Sequence, residues 1–232
     1  MRRRWILWTS VIALIALLAL FPLRTALGLS DFGRIGFTAR QVAGTIWYGR
    51  IGDLQLRSQP LGTFEVQLDP LALMLGKISM AFNRLDHPDG VLNGRLIAGL
   101  SRGAENLNGR LQVGDMFAPL PVRALDFKNV AVRFQDGRCV EGKGEVTPVI
   151  AAPVPGFDFA GLTGTIACDG ERARVRMAPA GAQSIEFFVH SSGSYRGWIT
   201  VRDVPPPISA ALSLAGFKPT PEGMTLSVDG TL

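Results

Sequence analysis

The sequence predicts an all-β protein with one N-terminal transmembrane helix followed by a curved, partly rolled antiparallel β-sheet domain, half-barrel or sandwich-like. Three observations predict this fold. A run of 19 residues without a charge lies close to the amino end. From about residue 40 onward, apolar and polar residues alternate with the period of two that is typical of a sheet with one packed face. Short units of the form apolar-x-Gly-x-apolar recur among these alternating stretches.

The charge-free run, WILWTSVIALIALLALFPL, covers residues 5–23. As a helix it would be about 28 Å long, which is close to the thickness of the hydrocarbon core of a bilayer. Trp5 and Trp8 lie where one membrane interface would fall, and Pro22 lies where the helix can stop. Three arginines precede the run and one follows it, so the positive-inside rule favours a cytoplasmic amino end.

This pattern divides the chain into four parts. We expect a cytoplasmic tail at 1–4, a transmembrane helix at 5–23, a juxtamembrane connection at 24–40 and a periplasmic β domain at 41–232. The protein would then be a single-pass protein of the cell inner membrane. A cleaved signal peptide is the alternative, because Ala26-Leu27-Gly28 has a small-x-small pattern, but the run is longer than the core of a usual signal peptide.

The charge distribution argues against nucleic-acid binding. Arg2, Arg3, Arg4 and Arg24 supply four of the 24 basic residues, and no acidic residue precedes Asp31. The remaining 20 basic residues face 19 acidic ones, so the β domain is nearly neutral. A nucleic-acid-binding domain needs a basic face on its folded part.

Cys139 and Cys168 are the only cysteines. In an exported domain an even number of cysteines favours a disulfide, and two unrelated buried thiols are the alternative. A metal site is not favoured because no pair of histidines accompanies the two thiols. No cofactor is expected.

Alternation is clearest at 172–177, where three arginines alternate with Ala173, Val175 and Met177. Similar runs predict strands at 63–68, 130–134, 185–189, 210–214 and 224–228. Helical periodicity outside the N-terminal run is weak, and its best candidate is the short segment 71–76 after Pro70.

Glycines in the repeated units fall on the same face as the apolar residues around them, because side chains alternate along a strand. We therefore expect these glycines to let strands bend or another backbone approach; the clearest are Gly94, Gly109, Gly164 and Gly230. The alternative is that glycine, with 27 residues, is simply abundant and concentrated in turns.

No catalytic constellation is found in the sequence, and we expect no enzyme. His87 and His190 stand apart, and there is no H-E-x-x-H, G-x-S-x-G or P-loop pattern. A solvated or capping role is the simpler interpretation of both histidines.

Four segments resemble one known family. They are GTIWYGR at 44–50, LDPLALMLG at 68–76, DGRCVEGKGEV at 136–146 and LTGTIACDGERARVRMAP at 162–179. Together they are similar to type II secretion system protein N, although Tyr48 stands where that family often has Asn. The resemblance marks possible interaction residues, namely Gly44, Thr45, Trp47, Gly49, Arg50, Leu68 and Pro70. Trp47 is the first candidate for a contact residue, and the alternative is that it caps the core.

The resemblance implies an accessory inner-membrane component of the machine that exports folded proteins from the periplasm. Its partners would be other subunits of the inner-membrane platform or pseudopilus, with the membrane contacted through the N-terminal helix. The alternative is an envelope protein similar to the AsmA-like and lipopolysaccharide-bridge families, which shields or transfers acyl chains. An exposed apolar groove would favour the alternative, and a filled core would favour the secretion component.

Overall fold

The structure, a computed structural model, describes residues 2–29, 36–56, 59–85, 87–118, 122–150, 162–177 and 183–231. These residues form fifteen strands and four α-helices. The strands make one antiparallel sheet, which confirms the all-β prediction. Its strands are β1 Phe37–Thr38, β2 Gln41–Gly44, β3 Gly49–Leu56, β4 Gln59–Leu68, β5 Lys77–Leu85, β6 Leu92–Gly99, β7 Ser101–Gln112, β8 Val122–Gln135, β9 Arg138–Ile150, β10 Gly164–Asp169, β11 Arg172–Met177, β12 Gln183–His190, β13 Ser194–Val201, β14 Lys218–Thr220 and β15 Gly223–Thr231.

The helices are α1 Arg2–Ala19, α2 Leu23–Leu29, α3 Pro70–Met74 and α4 Pro206–Leu214. The prediction of one helix across residues 5–23 is corrected by the structure. The first helix ends at Ala19, and a second helix begins at Leu23. Pro22 explains the break: a residue before proline avoids helical geometry, and the Pro22 carbonyl instead accepts the first backbone bond of α2, from Ala26. Among the described residues, no helix combines the length and the apolar character needed to cross a membrane.

The expected connection at 24–40 contains most of α2 and the short strand β1. Residues 30–35 of this connection lie outside the described residues. β1 pairs with β3 through Phe37 and Leu56, so the sheet begins slightly earlier in the chain than residue 41.

Strand order follows chain order from β3 to β13, with β15 next to β13 and β14 at the edge. β1 and β2 both pair with β3. Because each strand runs opposite to its neighbour, alternate connections lie at the same end of the sheet. The connections 45–48, 69–76, 100, 136–137, 170–171 and 191–193 therefore share one end, which we call the lower end.

Two apolar clusters fill the inner face of the sheet. The larger draws on β8 to β13, β15 and α4, and includes Val113 and Leu162, each 1% exposed. The smaller draws on α2, β3, β4 and β6 and includes Leu23 and Phe64. Partly buried side chains of β7 and β8 pack against both clusters, so the packing is continuous between them.

The carboxyl-terminal half of the sheet is rolled. Phe117 lies in a 3-10 turn, Gly114–Phe117, that follows β7. Its ring makes edge contacts with Phe187 on β12, at 5.5 Å between centroids, and with Tyr195 on β13, at 5.2 Å. The turn after β7 thus lies against strands that are far along the sheet, which requires the sheet to curl around its inner face.

The prediction of a strand at 210–214 is wrong, because these residues belong to α4. Proline at the first helical positions is pre-organised for a helix, and Pro206 occupies such a position. Leu212 is buried and Ile208 packs against the same cluster, a spacing of four residues that suits one face of a helix. The alternation of apolar residues over so short a segment fits either period.

Among the described residues of the amino-terminal half, Arg84 is the buried charged side chain, with 3% exposed. Its guanidinium donates to the carbonyl of Gly90 at 3.0 and 2.8 Å and to that of Arg110 at 2.8 Å. Burial lowers the pKa of Arg84, and the nearby carboxylate of Asp89 opposes this shift. Arg84 therefore fastens β5 to the turn before β6 and to β7.

Replacing Arg84 with methionine should lower the free energy of unfolding by roughly 1.5–3 kcal/mol, because the carbonyls of Gly90 and Arg110 lose hydrogen bonds from a charged donor. Urea unfolding followed by circular dichroism would measure the loss. The matched control is Arg95→Met on β6, where the arginine is exposed and a change within about 0.5 kcal/mol is expected. Equal effects of the two substitutions would contradict this role for Arg84.

A disulfide joins Cys139 on β9 to Cys168 on β10, with 5.4 Å between the Cα atoms. This confirms the predicted pairing. β9 and β10 share only two register positions, Val146 with Gly164 and Glu145 with Thr165. The disulfide holds the other end of this pair, where a Cβ at Gly142 would come within 2.9 Å of the β10 backbone.

Candidate interaction surfaces

The two family-like motifs meet at an elbow between α1, α2 and the β2–β3 turn. The backbone N–H of Ile46 donates to the carbonyl of Phe21 at 3.1 Å, and the N–H of Leu68 donates to the carbonyl of Ile46 at 3.2 Å. Pro22 forms an isolated bridge with Thr45. Residue 46 therefore connects the helical elbow on one side to the end of β4 on the other.

Trp47 is half-buried and its indole N–H donates to the carbonyl of Leu18 at 2.9 Å. The same carbonyl also accepts from the backbone N–H of Phe21 at 3.3 Å, so the Trp47 side chain adds a second bond at the end of α1, where carbonyls lack their usual helical partners. Its neighbour Tyr48 is 62% exposed. The residue that the turn presents outward is thus Tyr48, whereas Trp47 makes an internal contact.

The β2–β3 turn is tight. Gly44 has a φ of +88°, a backbone conformation that favours glycine. The backbone N–H of Thr45 donates to the carbonyl of Tyr48 at 3.1 Å. Arg50, two residues further on, makes an exposed cross-strand ion pair with Glu65 at 3.3 Å, and such pairs contribute little to stability.

Gly49 is where α2 packs on the sheet. A Cβ at this position would lie 2.5 Å from Leu23 Cδ2 and 2.9 Å from the Thr45 carbonyl. Gly49→Ala should therefore displace α2 and cost roughly 1–3 kcal/mol of stability. Urea unfolding and the rate of proteolytic cleavage near the elbow would measure this.

Gly28→Ala is the control for Gly49→Ala. Gly28 lies in α2, and a Cβ added to it would have no atom within 4 Å; alanine is also the better helix former. We expect this variant to be at least as stable as the parent chain. A Gly49→Ala variant as stable as Gly28→Ala would contradict the tight packing of the elbow.

The segment after Leu68 carries an apolar turn on the lower end of the sheet. Asp69 caps α3, because its Oδ1 accepts from the N–H groups of Leu71 at 2.9 Å and Ala72 at 3.3 Å. Pro70 occupies the first turn of the helix. The helix predicted after Pro70 is therefore present, but its apolar side chains point outward: Met74 is 84% exposed.

The four glycines singled out in the sequence occupy two kinds of position. Gly94 and Gly109 lie at register irregularities of β6 and β7, and Gly109 has a φ of +111°. Gly164 and Gly230 are instead covered by a side chain from the neighbouring strand: Met177 lies against the first, and the Tyr195 ring against the second.

The two edges of the sheet differ. At the amino-terminal edge, β1 and β2 together cover most of β3. At the other edge, β14 pairs only with residues 223–225 of β15. Within the part of the chain that the structure describes, residues 226–230 pair with β13 alone. An unpaired edge of this kind can accept a strand from another protein.

A cavity of about 430 Å³ opens on the outer face of β11, β12, β13 and β15. Its lining includes Phe188 stacked on Trp198 at 5.2 Å, with the guanidinium of Arg172 4.5 Å from the centre of the Phe188 ring. His190 and Ser194 also line it, but the Ser194 hydroxyl is bonded to Ser192 at 2.9 Å. Across the described residues there is no cluster of three or more side chains that could hold a metal ion.

Comparison with known proteins identifies one family. The family model described as type II secretion system (T2SS), protein N, matches residues 36–227. The matched range runs from the start of the sheet into β15 and contains both motifs that meet at the elbow. No curated protein and no solved structure matches the chain.

Proposed function

Because the chain belongs to the type II secretion system protein N family, we propose that it is an accessory inner-membrane component of that system. It acts through contacts with other subunits, of the inner-membrane platform or the pseudopilus, during the export of folded periplasmic proteins. The observation that carries this proposal is the family match across most of the chain.

The packing of the inner face supports a role in protein contact. A lipid-transfer protein needs an open apolar groove for acyl chains. Here two continuous clusters of buried side chains occupy the inner face, and Phe117 spans the rolled half. The filled core supports the secretion component over the AsmA-like or lipopolysaccharide-bridge-like alternative.

The open edge of β15 supplies a surface on which a partner subunit could add a strand. Main-chain hydrogen bonds would give such a contact its affinity, and the outward side chains of the edge would give it specificity. Ser227 and Asp229 are exposed on this strand. These polar side chains keep the open edge soluble when no partner strand is bound.

The proposed location in the inner membrane rests on α1. Its described apolar side chains are exposed along the whole helix, from Trp5 at 73% to Leu18 at 49%, and nothing in the described chain covers them. We propose that α1 attaches the protein to the inner membrane with the β domain in the periplasm. The disulfide supports a periplasmic domain, because disulfides persist in that oxidising compartment.

Deleting this chain in a bacterium whose type II system contains it tests the proposed function. We expect folded export substrates to be retained in the periplasm and a plasmid copy of the chain to restore their release. The assay compares substrate activity in the medium and in the periplasmic fraction. Unchanged export together with an altered lipid composition of the envelope would overturn the proposal in favour of lipid handling.

A further inference from the structure

The lower end of the sheet is apolar on one side and polar on the other. The three connections nearest α1 carry exposed apolar side chains: Tyr48 in the first, Leu71, Leu73, Met74 and Leu75 in the second, and Leu100 in the third. The next three connections along the same end are 136–137, 170–171 and 191–193, and they consist of polar residues and glycine. Among the lower-end connections, exposed apolar side chains therefore lie in the turns beside α1. Near the polar connections, Val140 on β9 is also exposed, at 49%.

The apolar turns are contiguous with each other and with α1. The turn 45–48 is bonded to α1 through Trp47 and, through Ile46, to Phe21 just beyond the end of α1. The Ile46 carbonyl in turn accepts from Leu68, which precedes the cap residue of α3. A Cβ at Gly99 would lie 3.2 Å from the carbonyl of Gly76, so the turn carrying Leu100 adjoins the turn carrying α3. We call this surface the apolar edge; Ile78 and Leu96, 46% and 45% exposed, extend it onto the sheet.

Charge around the apolar edge favours an anionic lipid surface. Exposed Lys77 follows the second apolar turn directly, and exposed Arg102 follows the third after one residue. Exposed Arg24 lies in α2 beside the first. The one carboxylate in these turns, that of Asp69, accepts two backbone bonds as the cap of α3. Proteins that insert shallowly into the headgroup region of a bilayer combine exposed apolar side chains with flanking basic residues.

From this continuity we propose that the apolar edge is a second membrane contact, which seats the lower end of the β sheet on the bilayer surface beside α1. The occupant is lipid: Leu71, Met74 and Leu75 enter the headgroup and upper acyl region, while Lys77 and Arg102 meet anionic headgroups. The sheet would then stand on the membrane with its polar turns and the open edge of β15 away from α1. This inference rests on the proposed attachment of α1 to the inner membrane.

The test places an environment-sensitive fluorophore on the full-length chain. Both native cysteines are in the disulfide, so an introduced thiol can be labelled alone. Met74→Cys reports on the apolar edge, and Glu222→Cys, exposed at the opposite end of the sheet, is the matched control. Each labelled chain is mixed with vesicles of phosphatidylethanolamine and phosphatidylglycerol that contain spin-labelled lipid.

We expect a blue shift and several-fold stronger quenching for the label at residue 74 than for the label at residue 222. Adding Leu71→Asp and Leu75→Asp should return the label at residue 74 to its aqueous emission while α1 keeps the chain on the vesicles. Leu214→Asp, at a site 92% exposed on α4, should change nothing.

The outcomes separate the two proposals. If the chain floats with the vesicles but the label at residue 74 keeps an aqueous emission, the membrane contact of the apolar edge is overturned. The proposed attachment through α1 would then still stand. A chain that does not float would overturn both. Neither result bears on the secretion assay, which scores export and not lipid contact.

Discussion

Replacing both cysteines, Cys139→Ser with Cys168→Ser, is expected to lower the free energy of unfolding by roughly 3–4 kcal/mol. The two residues are separated by 29 positions, and a disulfide that closes a loop of this length removes about that much chain entropy from the unfolded state. The effect should be large relative to the total stability of a domain, which is typically about 5–15 kcal/mol. Urea unfolding at neutral pH would measure it.

The position of the disulfide in the sheet also favours a large loss of stability when it is removed. β9 and β10 share two register positions at one end, so the disulfide is a principal link between the strands before and after residues 151–161. Reductant added to the parent chain should reproduce the loss, and the double serine variant should not respond to reductant. A double variant that unfolds at the parent's urea midpoint would contradict the structural role of the disulfide.

Phe117→Ala is expected to cost about 3–5 kcal/mol, the range for removing a buried aromatic side chain from a packed core. Phe117 is 8% exposed and makes edge contacts with Phe187 and Tyr195. The substitution would leave a void between the turn after β7 and strands β12 and β13. Thermal and urea unfolding would both register the loss.

Leu214→Ala is the control, because Leu214 is 92% exposed and its truncation should change stability by no more than about 0.5 kcal/mol. A further readout follows from the packing. If Phe117 fills the rolled half of the sheet, its removal should increase the binding of a hydrophobic dye to the inner face. A Phe117→Ala variant with parental stability and no added dye binding would contradict a filled inner face.

Local patterns in the sequence predicted much of the sheet. Alternation at 63–68, 130–134, 172–177, 185–189 and 224–228 lies within strands of the structure, because one packed face imposes a period of two. The disulfide followed from cysteine number and the expected compartment. The strand prediction for 210–214 was wrong because three apolar residues in so short a segment fit both a strand and a helix. The prolines before the segment favour the start of a helix.

Contacts between distant residues could not be predicted in the same way. Phe117 has no local signal for its partners, since they lie on strands much later in the chain. Arg84 looks like a surface residue in the sequence, and the Gly90 and Arg110 carbonyls together with the nearby Asp89 carboxylate offset the cost of its burial. The convergence of the two motifs depends on Ile46 bonding in both directions, which is set by the sheet register.

The apolar turns were visible in the sequence as LDPLALMLG, but their exposure was not. An apolar run after an Asp-Pro cap is equally compatible with a buried helix. The structure leaves Met74 and Leu75 without cover in the described chain, and their place beside α1 gives that exposure a physical explanation.

The proposed membership of this chain in the secretion machine is tested by recovering the full-length chain from cross-linked inner membranes, followed by mass spectrometry and lipid analysis. We expect cross-links from the chain to subunits of the secretion platform or pseudopilus, with no lipid retained in stoichiometric amount after purification in detergent. Phospholipid or lipopolysaccharide retained near one molecule per chain, with no cross-link to a secretion subunit, would contradict it.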